Sequence, residues 1–545
     1  VSTSSFSSSY PSKPTPTIDR AVFLGLDDAD RATLLGLVAK LNEKRHRNEI
    51  RRRYYEGHNQ LKDLGISIPP ALKTVEVVVG WPAKAVDTMS RRTILDGFGS
   101  SGGAELDGLV ARIVEDNRIA SEAPAAHTSA LVHSCSFLFT HLGDEAAGEP
   151  PVLITARSAE DATGTWDRRR RALGDALSVA EWDVATGQPT LMNLYLPGRV
   201  ITLTRVKPGI FDSSEQVHGM GVPVEVLPYR ADLSRPFGRS RITRGVMYNT
   251  DAAVRTQLRT EVAAEFYNAP QRYALGADDD AFTDDNGNSV PAWKVMLGRL
   301  LTLSRDEDGN LPEVGQFAQQ TMQPNIEQLR SIAQMFASET SLDVGSLGIV
   351  QDNPDSAEAI RARKEELGIE IEHWERTALT PAWQRTMIRA VAMSTDSPSA
   401  LSAARTIRPR WGSWSTPSEV SQAQAALARV QAVPYLAETT VELERMGYTE
   451  DQILSIRAER AKAASRQNIA TLAQRSLSGA PAAEDGVEAA NVLKAKADAL
   501  GVLIRAGVDP EDAARRLGLD GIKFTGAVPV SLRLPSGEAS ALEDA

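Results

Sequence analysis

Ser240-Arg241-Ile242-Thr243-Arg244-Gly245-Val246 opens the stretch whose reading decides the fold, which runs to Tyr267-Asn268-Ala269-Pro270 and resumes at Asn325-Ile326-Glu327-Gln328-Leu329. Ile242, Val246, Val254, Leu258, Val262 and Phe266 recur at multiples of four, one face of a helix over 240–267. Its roughly 28 residues would span about 42 Å. Asn268-Ala269-Pro270 stops it, because the residue before a proline is steered out of the helical region. Ile326, Leu329, Ile332, Ala333 and Phe336 repeat the spacing and predict a second helix over 325–339. Between the helices lie Asp278-Asp279-Asp280, Asp284-Asp285-Asn286-Gly287 and Asp306-Glu307-Asp308-Gly309. Asn-Gly and Asp-Gly signal hairpin turns, and the apolar runs 293–296 and 300–303 supply strands. A small acidic β element held out on two helices suits a projecting machine part better than a pocket enzyme.

A loop follows, Gly345-Ser346-Leu347-Gly348-Ile349-Val350, made pliable by its two glycines. Asp355 or Ser356 can cap the next helix, which continues through Ile360, Leu367, Ile371, Trp374 and Ala378. Pro381 predicts a kink.

A chain of 545 residues exceeds one ordinary core, so roughly two to four structural units are expected. The single cysteine, Cys135, excludes an intramolecular disulfide and suits a reducing compartment. Net charge is −11, from 60 basic and 71 acidic side chains. A protein that grips DNA over a broad surface is usually basic, since phosphate neutralisation supplies the affinity. The acidic balance points away from such a grip.

No stretch reads as a membrane span. Residues 123–143 are uncharged but contain Pro124, His127, His133 and His141, and read as a core helix followed by a strand at 136–139. Residues 2–17, rich in Ser, Thr and Pro, lack the basic flank and apolar run of a signal peptide, so 1–24 are expected to be a flexible tail. With Val1 first, an initiator methionine is expected either to have been removed or to lie outside the residues present.

Residues 25–238 read as an α+β body. A helix over 30–55 turns Leu34, Leu35, Val38 and Leu41 inward, and Trp81-Pro82 opens another with Val86 and Met89 inside. Strands are predicted at 152–154, 191–195, 200–206 and 222–227. A linker at 396–417 contains Trp411-Gly412-Ser413-Trp414, helical patterns return over 418–477 and 486–517, and 479–485 is a break.

Several chemical signals weaken on inspection. His133, Cys135 and His141 lack a fourth ligand at a recognised spacing. Gly99-Ser100-Ser101-Gly102-Gly103 fits G-x-S-x-G but reads as a Gly/Ser loop, without the strand and helix that elbow needs. A G-x-x-x-x-G-K-[ST] is missing, so the chain carries no ordinary phosphate-binding loop for ATP. Counting back from Gly287 or Gly309 puts Phe282 or Ser304 at the first position of a calcium loop, where neither ligates as required. The runs 44–47 with 51–53, and 168–171, read as solvated faces balanced by Glu43, Glu49 and Asp167, the alternative being contact with DNA or a neighbouring subunit.

The chain resembles bacteriophage portal proteins, particularly those of tailed phages infecting actinobacteria. The resemblance rests on Pro228-Tyr229-Arg230, Leu233-Ser234-Arg235-Pro236-Phe237-Gly238-Arg239-Ser240, Ala269-Pro270-Gln271-Arg272-Tyr273, Asn353-Pro354-Asp355-Ser356-Ala357, and the tail motifs Ala490-Asn491-Val492-Leu493 and Ala506-Gly507-Val508-Asp509-Pro510-Glu511-Asp512. It covers about 33–535. One departure is His133-Ser134-Cys135, where the family often has glycine before the strand.

The resemblance implies a helix-rich α+β portal fold: wing 25–238, stem helices 239–267 and 325–340, a small β-containing clip 268–324, tunnel loop 341–354, long wing helix 355–395, helical crown 418–520 and a tail 521–545. It implies a structural ring, typically dodecameric, at one capsid vertex of the virion, assembled in the host cytoplasm. No catalysis, cofactor, metal or membrane contact is expected. Implied partners are further copies, the terminase large subunit, a head-tail adaptor, major capsid and scaffolding proteins, and double-stranded DNA in the channel. Asp279, Asp280, Asp284, Asp285 and Asn286 would dock partners at the clip. Ser341, Asp343, Ser346, Ile349, Gln351 and Asp352 would face DNA. The rival readings are a metal-dependent DNA-processing enzyme built on the acids at 278–285 and a monomeric helical adaptor.

Overall fold

Asp27 starts the first long helix of the computed structural model: its Oδ1 accepts the Asp30 N–H at 2.7 Å, and Asp28 and Asp30 suit the positive end of the helix dipole. The structure describes residues 18, 21–59, 77–183, 185–268, 272–275, 313–316, 321–349, 357–395, 397–415, 419–448, 450–477, 486–505 and 509–519. The chain divides into two units, 1–416 and 417–545.

The first unit begins with β1 (Val22–Leu24), α1 (Asp28–Glu56), α2 (Trp81–Ser90), β2 (Leu95–Gly99), α3 (Ala104–Asp116) and α4 (Ile119–His133). Eight strands follow among the described residues: β3 (Cys135–Leu142), β4 (Val152–Ser158), β5 (Ala162–Asp167), β6 (Ala172–Trp182), β7 (Pro189–Leu196), β8 (Arg199–Lys207), β9 (Ile210–Val217) and β10 (Val224–Pro228). One sheet runs β1-β9-β8-β7-β6-β5, antiparallel except that β1 lies parallel on β9. Leu34, Leu37, Val38 and Leu41 of α1 form a core with Leu177, Met192, Leu194 and Leu203 of this sheet. The expected tail over 1–24 is therefore too long, because Ile18 and Phe23 are buried in that core and 22–24 form a strand. Strands β5, β6 and β9 were not foreseen, and their residues explain it. Ala172, Gly174, Ala176 and Ala180 have low strand propensity, and Asp212-Ser213-Ser214-Glu215 is polar.

A second sheet, β10-β3-β4, lies between two cores. Successive side chains of β3 point to opposite faces. Phe137 and Phe139 join Tyr195 on one side, with the Phe139 and Tyr195 rings 4.7 Å apart, and Leu138 joins the helical core on the other. Burial on both faces accounts for the uncharged run 123–143.

The chain then forms α5 (Arg244–Asn268), β11 (Arg272–Leu275), β12 (Glu313–Gln316), α6 (Gln323–Thr340), α7 (Ala357–Trp374), α8 (Thr380–Ser394), α9 (Pro398–Ala404) and β13 (Arg408–Trp411). Helix α5 starts four residues later than expected, at Arg244, because Thr243 Oγ1 accepts the Val246 N–H at 3.1 Å and caps it there. Helix α6 starts two residues earlier than 325, with Pro324 in its first turn, where a missing N–H costs nothing. The kink expected at Pro381 takes the form of a π turn over Glu375–Leu379, with the Thr380 N–H donating to the Glu375 carbonyl. The presumed linker 396–417 is also mostly structure: α9 and β13 belong to the first unit, with Ala404 and Ile407 in its core and β13 paired to β2.

The second unit is helical: α10 (Glu419–Ala432), α11 (Thr440–Arg445), α12 (Glu450–Leu477), α13 (Gly486–Arg505) and α14 (Pro510–Arg516). Pro434 follows the end of α10 and opens a short 3-10 turn, Pro434–Glu438, so 418–477 is not one continuous helix. Arg429 binds Glu442 through Nε and Nη2 at 2.9 and 2.6 Å, and Leu500 packs with Ala513 and Ala514.

Candidate functional site at the root of the helix pair

Beyond β10 the chain makes a tight loop before α5. Asp232 Oδ1 accepts the N–H groups of Ser234 and Arg235, and Asp232 Oδ2 takes Arg239 Nη2 at 2.8 Å. Gly238 has φ +70°, and a Cβ there would lie 2.1 Å from the Tyr229 carbonyl, which accepts the Arg239 N–H at 2.7 Å. Only glycine fits. Ser240 Oγ donates to the Val132 carbonyl at 2.6 Å and accepts the Ile242 N–H, fastening the root of α5 to α4.

Arg241, which follows, is almost wholly buried. Its Nε donates to the Ala85 carbonyl at 2.9 Å and its Nη2 to the Thr340 carbonyl at 2.6 Å. Its Nη1 reaches Tyr229 Oη at 2.7 Å and Glu370 Oε2 at 3.0 Å. Tyr229 Oη also donates to Glu370 Oε1, which pairs with Arg230 at 2.7 Å. One guanidinium thus joins α2, the end of β10, the C-terminus of α6 and helix α7. Burial alone would raise the Glu370 carboxyl, but Arg241, the Tyr229 hydroxyl and Arg230 outweigh it and hold it below the ordinary carboxylate value. Burial, chiefly, pushes the Tyr229 phenol up to about 12. The arrangement offers no nucleophile or general base. It is a mechanical joint.

The predicted tunnel loop leaves this joint. Ser341 ends α6 at φ +51°, and its Oγ lies 3.3 Å from Glu366 Oε1. Leu342 and Leu347 are buried, Ile349 packs against the core, and Ser346 is exposed, its Oγ donating to the Asp343 carbonyl at 2.6 Å. The described part is thus a 3-10 turn, Val344–Leu347, anchored by two leucines and closed by Gly348 at φ +86°, rather than a slack loop. Gln351 and Asp352 lie outside the described residues. So do Asp279, Asp280, Asp284, Asp285 and Asn286, expected to dock partners, and the strands expected at 293–296 and 300–303. What is described of that region is the antiparallel pair β11–β12, Arg272 opposite Gln316.

The basic run on α1 is only in part the solvated face expected: His46 and Arg47 are exposed and Lys44 and Arg53 pair with Glu43 and Glu49, but three arginines turn inward. Arg51 donates to the His133 carbonyl at 3.1 Å, Arg45 lies over Trp182, and Arg52 faces Glu160. Burial holds the Arg51 guanidinium down to about 10. The turn at 168–171 is exposed, its N–H groups at 169 and 170 held by Asp167. A strand and a helix do flank 99–103, against expectation, but Ser100 Oγ donates to Asp107 in an exposed loop, and Thr406 Oγ1 accepts the Ser101 N–H. Cys135 is buried and free, and among the described residues no three His, Cys, Asp or Glu side chains form a group able to hold a metal. Periodicity singled out neither Arg241 nor Glu370, because a buried ion pair leaves no trace in an apolar repeat.

Residues 37–464 match the family model described as "Phage portal protein, SPP1 Gp6-like". The portal proteins of Mycobacterium phages D29 and L5 are each 28% identical to this chain, over 380 and 388 residues, covering 68% of it and 76% of theirs. Solved structures of a native gene transfer agent virion and of its neck, computed with C12 symmetry, align over 68% of this chain and 90% of theirs. Their identities are 13% and 12% and their TM-scores 0.34 and 0.35, too low to build on.

Proposed function

The chain belongs to the SPP1 Gp6-like family of phage portal proteins, structural components and not enzymes, and from that premise we propose that its copies close into a ring, roughly twelve-fold, at one capsid vertex. Membership removes both the nuclease reading of the acids at 278–285 and the monomeric adaptor. The observation that carries the ring is the apolar surface left on the helices around the joint. Tyr248 of α5, Met335 of α6 and Ile369 of α7 are 63%, 48% and 63% exposed. A closed cyclic ring needs two different faces on each subunit, and such side chains suit burial between them.

In this reading α5 and α6 line the channel wall as the stem. The segment 268–324 meets the terminase and later the head-tail adaptor, and the wing and crown meet capsid and scaffolding proteins. The ring stands in the virion after assembly in the host cytoplasm, and DNA passes through it. Ser341, Asp343, Ser346, Ile349, Gln351 and Asp352 lie nearest the duplex. They bring two carboxylates and no cation, so contact is weak and non-adhesive. Native mass spectrometry with negative-stain microscopy tests the reading: rings with a central hole are expected, and a chain that stays monomeric at micromolar concentration sinks it.

A further inference from the structure

Leu233 is the most exposed large apolar side chain of the described residues, at 102%. An exposed leucine alone means little. This one stands at the apex of a loop fixed from below: Asp232 holds the N–H groups of Ser234 and Arg235, Asp232 and Arg235 exchange backbone hydrogen bonds at 3.0 and 3.3 Å, and Gly238 lets the loop close on Tyr229. A rigid turn with an apolar tip has little ordering entropy left to lose on binding. Beside the tip, Arg235 is exposed and makes no ion pair among the described residues.

The same unit carries a concave counterpart. An open cleft of about 1100 Å³ lies between the end of α1, α2, α4 and β2, with Leu95, Pro124 and Val132 among its apolar lining and Ile94, 44% exposed, also contributing. Its lining includes four carboxylates against two guanidiniums, Arg52 and Arg91. Those two face Glu160 and Asp87, and Asp96 lies in the field of Arg410, so the exposed Glu56 leaves the cleft net acidic.

We propose that the Leu233 tip of one subunit seats in this cleft of the next, with Arg235 against the acidic lining. A heterologous, ring-closing contact joins two different surfaces of the subunit, here a convex tip and a concave cleft, and the loop's cation complements the cleft's excess of acids. The proposal rests on the ring reading and adds the surfaces that meet.

The test is a full-length Leu233→Cys, Ile94→Cys double variant treated with a short bis-maleimide. The native Cys135 is buried, its thiol pushed up to about 12 by that burial, so the background is quiet. A ladder of covalent multimers on a denaturing gel is expected from the double variant and from neither single one. A second variant, Leu233→Asp with Arg235→Glu, should lose at least tenfold in ring yield while keeping its circular dichroism. Rings that form normally in both variants, without a ladder, overturn the docking and leave the ring reading standing. A wild-type chain that never assembles overturns both.

Discussion

Arg241 and Glu370 meet at 3.0 Å in the interior, and through them the end of α6 and helix α7, which flank the proposed channel loop, are fastened to one group. Arg241→Met should destabilise the fold by about 3 kcal/mol, since it takes the buried cation from Glu370 Oε2 and its side-chain donor from the Thr340 carbonyl. The double variant Arg241→Met, Glu370→Leu should recover part of that loss in urea titrations, the buried Tyr229 hydroxyl losing both its partners. Because the Glu370 carboxyl is depressed when folded, its contribution is present above about pH 4.3 and disappears as pH falls through its folded value. A double variant no more stable than the single one would count against the joint.

The helix pair was legible in the sequence because Val246, Val254, Ile332 and Phe336 repeat at helical spacing, and each is buried. Its exact ends were not, since Thr243 and Pro324 act through local hydrogen bonding that an apolar repeat does not report. The joint was invisible for a deeper reason. Glu370 lies 129 residues from Arg241 and 141 from Tyr229, and only tertiary packing tells a buried arginine from an exposed one. The run 44–53 was read correctly at Lys44 and Arg53, which pair with Glu43 and Glu49, but not at Arg51, which finds its acceptor at His133 on another helix.

Glu375 sits in the π turn, 8% exposed, with Oε1 lacking a hydrogen-bond partner. Burial, with help from Glu372, pushes its carboxyl up to about 8. The folded chain then holds a proton that the unfolded chain releases near pH 4.3, so stability falls as pH climbs from about 4.3 to about 8 and levels above. Glu375→Gln should be more stable at pH 8 by about 1–3 kcal/mol, discounted for solvent screening. Thermal melts across that window should show a flatter profile for the variant; an unchanged slope assigns the effect to other groups.

Gly238 and Gly209 both have positive φ, +70° and +76°, but only Gly238 has backbone where a Cβ would go. Gly209→Ala should cost about 1 kcal/mol, the strain of the left-handed region alone. Gly238→Ala should cost about 3 kcal/mol or more, because the Tyr229 carbonyl must move away. Equal losses in chemical denaturation would mean that the loop yields freely.

Ser134 stands between α4 and β3 at φ +87°, a conformation that favours glycine, and its carbonyl accepts the Tyr229 N–H at 2.9 Å. The backbone at Ser134 therefore takes a geometry that glycine adopts without strain. Ser134→Gly should stabilise the fold by about 0.5–1 kcal/mol, strain relief exceeding the entropy of the added glycine. A loss on substitution would mean that the serine hydroxyl, hydrogen-bonded to Cys135, outweighs the strain.

Met335 lies on α6 next to Phe336, which is fully buried, so one helix presents an inner face to the core and an outer face to whatever adjoins it. The two substitutions should separate folding from assembly. Phe336→Ala opens a cavity in the core and should cost about 3–5 kcal/mol in the isolated chain. Met335→Asp touches no core and should leave the monomer's melting point within about 1–2 °C of wild type. In a ring it would bury a charge between subunits without a partner, so assembly followed by native mass spectrometry should fall at least tenfold. Rings of undiminished yield from Met335→Asp would place this face of α6 in solvent and require the subunit contact to lie elsewhere on the chain.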